Sequence, residues 1–181
     1  MPAPAPLFDT PRLTVRPFSA DDYDDLYALR ADEAVARYLG GTADLASKVA
    51  ARLQYYLDHH ARHGYAMSRV SLRGTTAMIG WGGLQHLDDG EEIEVGYALA
   101  RAWWGRGLAT ELARAWLQRG FHALGFERIV AVADPENAAS RHVMEKLGMR
   151  YEKRIAHYGM DTVYYAVSRA GFVETLPAAA R

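Results

Sequence analysis

The 181-residue chain contains no cysteine. That excludes a disulfide framework, thiolate catalysis and cysteine-held zinc, leaves any thiol chemistry to a ligand, and suits a reducing cytoplasm. Net charge is nearly absent as well: 21 Lys and Arg against 22 Asp and Glu leave −1. No global field therefore favours nucleic acid or an anionic membrane, and neither is expected as a partner. The chain also lacks a run of about 18 apolar residues such as a membrane helix requires, and MPAPAPLFD has neither the basic start nor the apolar stretch of a signal peptide. Repeats and low-complexity tracts are missing too. The expectation is one soluble, cytoplasmic domain over 1–181, with the Pro/Ala-rich residues 1–8 and the closing 177–181 as loose tails.

Half of the residues are apolar, and their spacing gives an order of elements. RLTVR (Arg12 to Arg16) alternates like a strand and is closed by Pro17. Ser19, Asp21 and Asp22 make a helix start, followed by helical segments through Leu26 and Leu29 and around Glu33 to Leu39, stopped by Gly40 and Gly41. Asp44 to Arg62 repeats Val49, Leu53 and Leu57 every fourth residue, a buried helical stripe ended by Gly64. The period then changes: YAMSRVSL, AMIGWGGLQHL and EIEVGYALA are strand-like runs divided by the turn signals Arg73-Gly74 and Asp88-Asp89-Gly90, an antiparallel meander. From Gly107 the helical period returns with Leu108, Leu112 and Trp116 inward. ERIVAVAD is a short buried strand, NAASRHVMEKLGM a helix with Gly148 at its left-handed stop, and TVYYAVS a last strand after Asp161. A crossover from 91–100 through a helix to 129–133 requires parallel strands, so the sheet is mixed and the fold class α/β, or α+β.

The stretch WWGRGLATE, Trp103 to Glu111, sets glycines between a strand and a helix start. Backbone amides in such a loop converge on an anion, and the helix dipole adds to the attraction. A mononucleotide P-loop is excluded because GRGLATE has no lysine and hydroxyl in register. A dinucleotide fingerprint fits poorly: Thr110 holds the third glycine position, Ala100 to Trp104 separate strand from loop, and Asp134 lies too far on to serve the ribose. The glycines also suit a plain turn.

The surroundings narrow the choice. EIEVGYALARAWWGRGLATELARAWL followed by DPENAASRHVMEKLGM resembles the central portion of the GNAT acyltransferase superfamily. TPRLTVRPFSADDYDDLYAL and HYGMDTVYYAV resemble the opening and closing segments of its ribosomal-protein N-terminal acetyltransferase (RimJ/RimL-like) branch, so the likeness runs from about Thr10 to Ser168. It implies a mostly antiparallel sheet flanked by helices, with acetyl-CoA as cosubstrate in a cleft between splayed central strands. The superfamily's loop pattern Q/R-x-x-G-x-G/A falls on Trp104 to Ala109, with Trp104 in place of the first polar residue. By the same resemblance, the pyrophosphate of coenzyme A lies on the amides of Gly105, Arg106, Gly107, Leu108, Ala109 and Thr110. The pantetheine arm runs along Tyr97, Ala98 and Leu99, with an oxyanion donor near Leu99, and Asn137 holds the cofactor near its thiol end. Asn137 also fits a helix cap.

Acetyl transfer to an amine needs a base for the incoming ammonium. Glu94 matches the acid that precedes the I-G-Y segment in this branch and shares a strand face with Gly96 and Ala98; Glu92 is its reserve. Glu91, Glu92 and Glu94 equally suit a solvated strand edge. The position where many GNAT enzymes carry a proton-donating tyrosine is Met144, and Ser140 is the replacement the resemblance implies, although a serine there also caps a helix. The reading is an N-acetyltransferase acting by direct attack in a ternary complex on a protein N-terminus or a small-molecule amine; the alternative is a non-catalytic acetyl-CoA sensor. A homodimer is compatible with the branch. No metal is expected: His59 and His63 are spaced i, i+4, no third ligand is evident, and they read as solvated. Tyr55, Tyr56, Tyr65, Trp81 and Trp103 suit core packing or an acceptor pocket, and Trp116 suits packing.

Overall fold

The computed structural model describes residues 3–172. The chain opens with β1 (Phe8–Asp9) and β2 (Leu13–Arg16), passes through α1 (Tyr23–Ala31), α2 (Glu33–Ala36) and α3 (Leu45–His63), and enters the meander β3 (Met67–Leu72), β4 (Met78–His86) and β5 (Ile93–Leu99). After α4 (Leu108–His122) come β6 (Arg128–Ala133), α5 (Ala138–Lys146), β7 (Arg150–His157) and β8 (Met160–Ser168). One eight-stranded sheet runs in the order β1-β2-β3-β4-β5-β6-β8-β7. Every pairing is antiparallel except β5 with β6, where the α4 crossover imposes the parallel direction.

The helices sort onto the two faces by what each stripe can bury. Leu112, Trp116 and Phe121 of α4 meet Val15, Val70, Leu84 and Val95 on one face; Leu26 of α1 and Val49, Leu53 and Tyr56 of α3 meet Met67 and Trp81 on the other. α4 approaches so closely that a Cβ on Gly82 would sit 2.6 Å from Leu112 Cδ2, which only glycine avoids.

Two expectations need correction. Residues 1–8 are not wholly a loose tail: Leu7 donates its N–H to Val15 O at 2.8 Å, and Phe8 packs edge-on against Trp116 with ring centroids 5.1 Å apart. The aromatic edge contact and the added strand give this segment something to bury after all. Residues 177–181 lie outside the described part. The second correction is β7, absent from the sequence reading. Its stretch RYEKRIAH has no apolar alternation and is exposed almost throughout, because it is the outermost strand and only β8 holds it.

Candidate active site

β4 and β5 stay paired from Gly80↔Leu99 to His86↔Ile93, whereas β5 and β6 share one register pair, Glu94↔Val130. Beyond Glu94 the two strands part, opening a cleft whose wall carries Tyr97, Ala98 and Leu99. Unpaired main-chain groups in such a wedge accept an extended ligand as an extra strand. The Trp104 indole, in the place of the usual polar residue, donates to Leu99 O at 2.7 Å and ties the glycine loop to the end of β5.

That loop turns on two left-handed glycines, Gly105 at φ +71° and Gly107 at φ +74°. Nothing stands within 4 Å of a Cβ built on Gly105, so its outer side is clear. Gly107 is the N-cap of α4 and offers no side chain to the helix start, so the first amides of α4 (Leu108, Ala109 and Thr110) lack the capping acceptor that helices usually supply. Leu108 is buried and adds only its backbone; Arg106 stacks 4.9 Å over Trp103, which packs at the edge of the core.

Across the cleft, Asn137 caps α5: its Oδ1 accepts the Ser140 N–H at 3.0 Å. The Ser140 hydroxyl lies 3.1 Å from the Tyr97 hydroxyl, which also donates to Ser140 O at 3.2 Å. Burial pushes the Tyr97 phenol up to about 12, with the Ser140 bond pulling the other way, so it stays protonated at any physiological pH. Met144 is fully buried core and has no proton to give.

The acids of this stretch separate cleanly, and Glu91 is exposed. Glu92 is exposed, accepts from Tyr164 and faces Arg128 at 3.8 Å, outside the cavity. Glu94 is only 5% exposed and sits in the wall of a cavity of about 660 Å³, so the solvated-edge expectation fails for it. Its carboxylate accepts from Gln85 Nε2 at 3.1 Å and from the Tyr158 hydroxyl at 2.5 Å. Burial pushes its pKa up to about 7, against the opposing pull of those two bonds and of the nearby Arg52. A carboxyl poised there changes charge at working pH, as a general base must. Tyr158 and Gln85 escaped the sequence reading, since only the β7–β8 turn, with Tyr158 at φ +53°, brings a phenol back to β5.

The histidines also need correction. β4 brings His86 beside His59 and His63, with ring nitrogens of all three within 4.8 Å, and His59 is 2% exposed rather than solvated. Both His59 nitrogens are already engaged: Nδ1 with Tyr65 O at 2.7 Å and Nε2 with the His86 N–H at 3.2 Å. A cation on Nε2 would displace that backbone donor, so His59 acts here as a pin between α3 and β4. Of the aromatics, Tyr55, Tyr56 and Trp81 all line the cavity, the last two as buried core, and Tyr65 joins the other core cluster.

The family model of the acetyltransferase (GNAT) domain matches residues 12–150. The chain belongs to the GNAT acetyltransferase family. Among GNAT relatives, the uncharacterised N-acetyltransferase p20 of Bacillus licheniformis is 30% identical over 152 residues, 82% of this chain and 85% of that protein. A stronger local likeness, 41% over 81 residues, reaches the uncharacterised protein YkkB of Bacillus subtilis, of whose length this chain covers 47%. The acetyltransferase of Agrobacterium tumefaciens str. C58 superposes with TM-score 0.79 at 25% identity, over 93% of this chain and 95% of that one. A RimL ribosomal L7/L12 α-N-protein acetyltransferase in complex with coenzyme A has TM-score 0.75 over 91% and 98% of the two chains; at 18% identity it attests the shared GNAT fold.

Proposed function

We propose that this GNAT acetyltransferase moves an acetyl group from acetyl-CoA to a primary amine, by direct attack within a ternary complex, with Glu94 as the base. The observation that carries this is Glu94 itself, a buried carboxyl with a pKa near 7 in a cavity wall at the point where β5 leaves β6.

The chain fits coenzyme A at both ends of the cleft. The uncapped start of α4 and the clear outer side of Gly105 form an anion cradle for a pyrophosphate, formed by the backbone of Gly105 to Thr110. The open edge of β5 at Tyr97 to Leu99 suits the amides of a pantetheine arm, and Asn137, the N-cap of α5, is the residue the family resemblance assigns to its thiol end. When bound, the cosubstrate supplies a thioester acyl group.

Glu94 takes a proton from the incoming ammonium, which makes the amine nucleophilic. A main-chain amide near Leu99, the donor the family resemblance assigns, would stabilise the carbonyl oxygen on which charge develops. As the C–N bond forms and the C–S bond breaks, Ser140 relays to the departing sulfur the proton that the attacking nitrogen sheds, and is itself held by the Tyr97 hydroxyl, a pairing that takes over the task left open by Met144. With no cysteine, an acyl-enzyme thioester has no carrier in this chain. The test is release of free thiol from acetyl-CoA by the purified protein across a panel of amines and peptides. Turnover on any of them supports the reading; tight acetyl-CoA binding with no turnover on all of them favours a sensor instead.

A further inference from the structure

The cavity that Glu94 opens into is lined by three cations, Arg30, Lys48 and Arg52, together with the acids Asp88, Asp89, Asp134 and Glu94, and the cations form no close ion pair with those acids. Its acids are engaged: Asp88 accepts the Tyr158 N–H at 3.1 Å and lies 3.7 Å from His157, Asp134 accepts the Glu136 N–H at 2.7 Å, and Asp89 faces the Tyr55 hydroxyl. Its cations meet only carbonyls and rings. Arg30 is 8% exposed, yet its guanidinium makes one bond, to Leu39 O at 3.0 Å, and its buried Nε has no partner. Arg52 stacks over the rings of Tyr55 and Tyr158 at 5.9 and 5.5 Å, and Lys48, one helical turn earlier on α3, reaches Gly40 O at 3.5 Å. Among the described residues none of the three has an acid partner, and the field of Arg52 falls on Arg30 as well as on Glu94. Burying an arginine beside a second cation without a counter-ion costs stability unless an anion arrives to use the donors.

We propose that the acceptor is an amine that also bears a carboxylate or phosphate, seated with its anionic group on Arg30, Lys48 and Arg52 and its nitrogen at Glu94. This rests on the reading of Glu94 as the base. Tyr158 sets the span: its ring carries Arg52 and its hydroxyl holds Glu94, so anion and nitrogen are about a tyrosine's length apart. The planar guanidinium of Arg52, in contact with the rings of Tyr55 and Tyr158, matches a carboxylate or phosphate edge.

Calorimetric titration of the wild-type protein saturated with coenzyme A tests this without requiring turnover, and keeps the cofactor's own phosphates from serving as the anion. Three matched pairs are compared: β-alanine with β-alaninamide, phosphoethanolamine with ethanolamine, and the C-terminally amidated peptides Ala-Asp-Glu-NH2 and Ala-Asn-Gln-NH2. The anionic member of at least one pair should bind at least about ten-fold tighter, as a partly desolvated ion pair provides; which pair responds separates a small molecule from a polypeptide N-terminus. Arg52→Gln should bring that ratio close to one and Arg52→Lys should restore part of it. Equal affinities within every pair, a preference that survives Arg52→Gln, or no binding by any probe overturns the proposal. Selective binding with no acetyl transfer to the bound amine leaves the anion site standing and defeats the role given to Glu94.

Discussion

The Tyr158 hydroxyl meets the Glu94 carboxylate at 2.5 Å across 64 positions of sequence, and this contact joins the β7–β8 turn to the floor of the cleft. The same hydroxyl accepts from Gln85 and from the Asp88 N–H, so one phenol ties these two residues to the proposed base.

Glu94→Gln should trade activity for stability. Because the folded pKa, about 7, exceeds the ordinary 4.5, the fold prefers the protonated carboxyl. Stability tied to this group is therefore whole below the unfolded value and declines as pH rises toward 7, by roughly 3 kcal/mol for such a gap if the site stays dry. The Gln variant should melt above wild type at pH 8 and level with it near pH 4.5. Its turnover should fall most near neutrality and recover at high pH, where free amine is already present. Calorimetric melting and a pH–rate profile read the two effects, and an unchanged profile removes Glu94 as base.

Tyr158→Phe removes a donor that favours the ionised carboxylate. A hydrogen bond to a charged group contributes about 1.5–3 kcal/mol, so the limb of the pH–rate profile assigned to Glu94 should move upward by about one pH unit or more. A lower rate with no movement of that limb would show that Tyr158 serves only the turn.

Gly107→Val tests the anion cradle. At φ +74° a β-branched residue is strained, costing about 1–3 kcal/mol. Beyond that cost, coenzyme A affinity measured by titration should drop at least about ten-fold through a displaced amide. Wild-type affinity in a folded variant refutes the assignment of Gly105 to Thr110.

Ser140→Ala and Tyr97→Phe probe the proton route to sulfur. Each should lower kcat by about ten-fold, under the usual 10²–10⁴ of general acid catalysis because a thiolate leaves with little help. The double variant should be no slower than the worse single one, since the two hydroxyls act as one chain. Additive losses would separate them.

Helical and strand periods are local properties, and they were legible: the stripes Val49–Leu53 and Leu112–Trp116, the left-handed stops Gly64 and Gly148, and the parallel crossover all stand where spacing put them. β7 was not legible, because a charged edge strand held by one neighbour leaves no apolar period behind. The Pro/Ala opening misled for a related reason, since Leu7 and Phe8 find their partners in β2 and α4.

At the site the division is similar. By itself the sequence determined the family resemblance, the glycine loop, the caps and the absence of any thiol, since motifs and composition lie along the chain. Only the tertiary structure decided which of Glu91, Glu92 and Glu94 is buried, brought Tyr158 and Gln85 onto the chosen one, and set His86 against His59. It also put Arg30 and Arg52 in the cavity wall with no ion pair among the described residues. Desolvation and charge pairing depend on neighbours distant in sequence, so the pKa of a carboxyl and the charges that line a pocket exist only once the strands have been brought together.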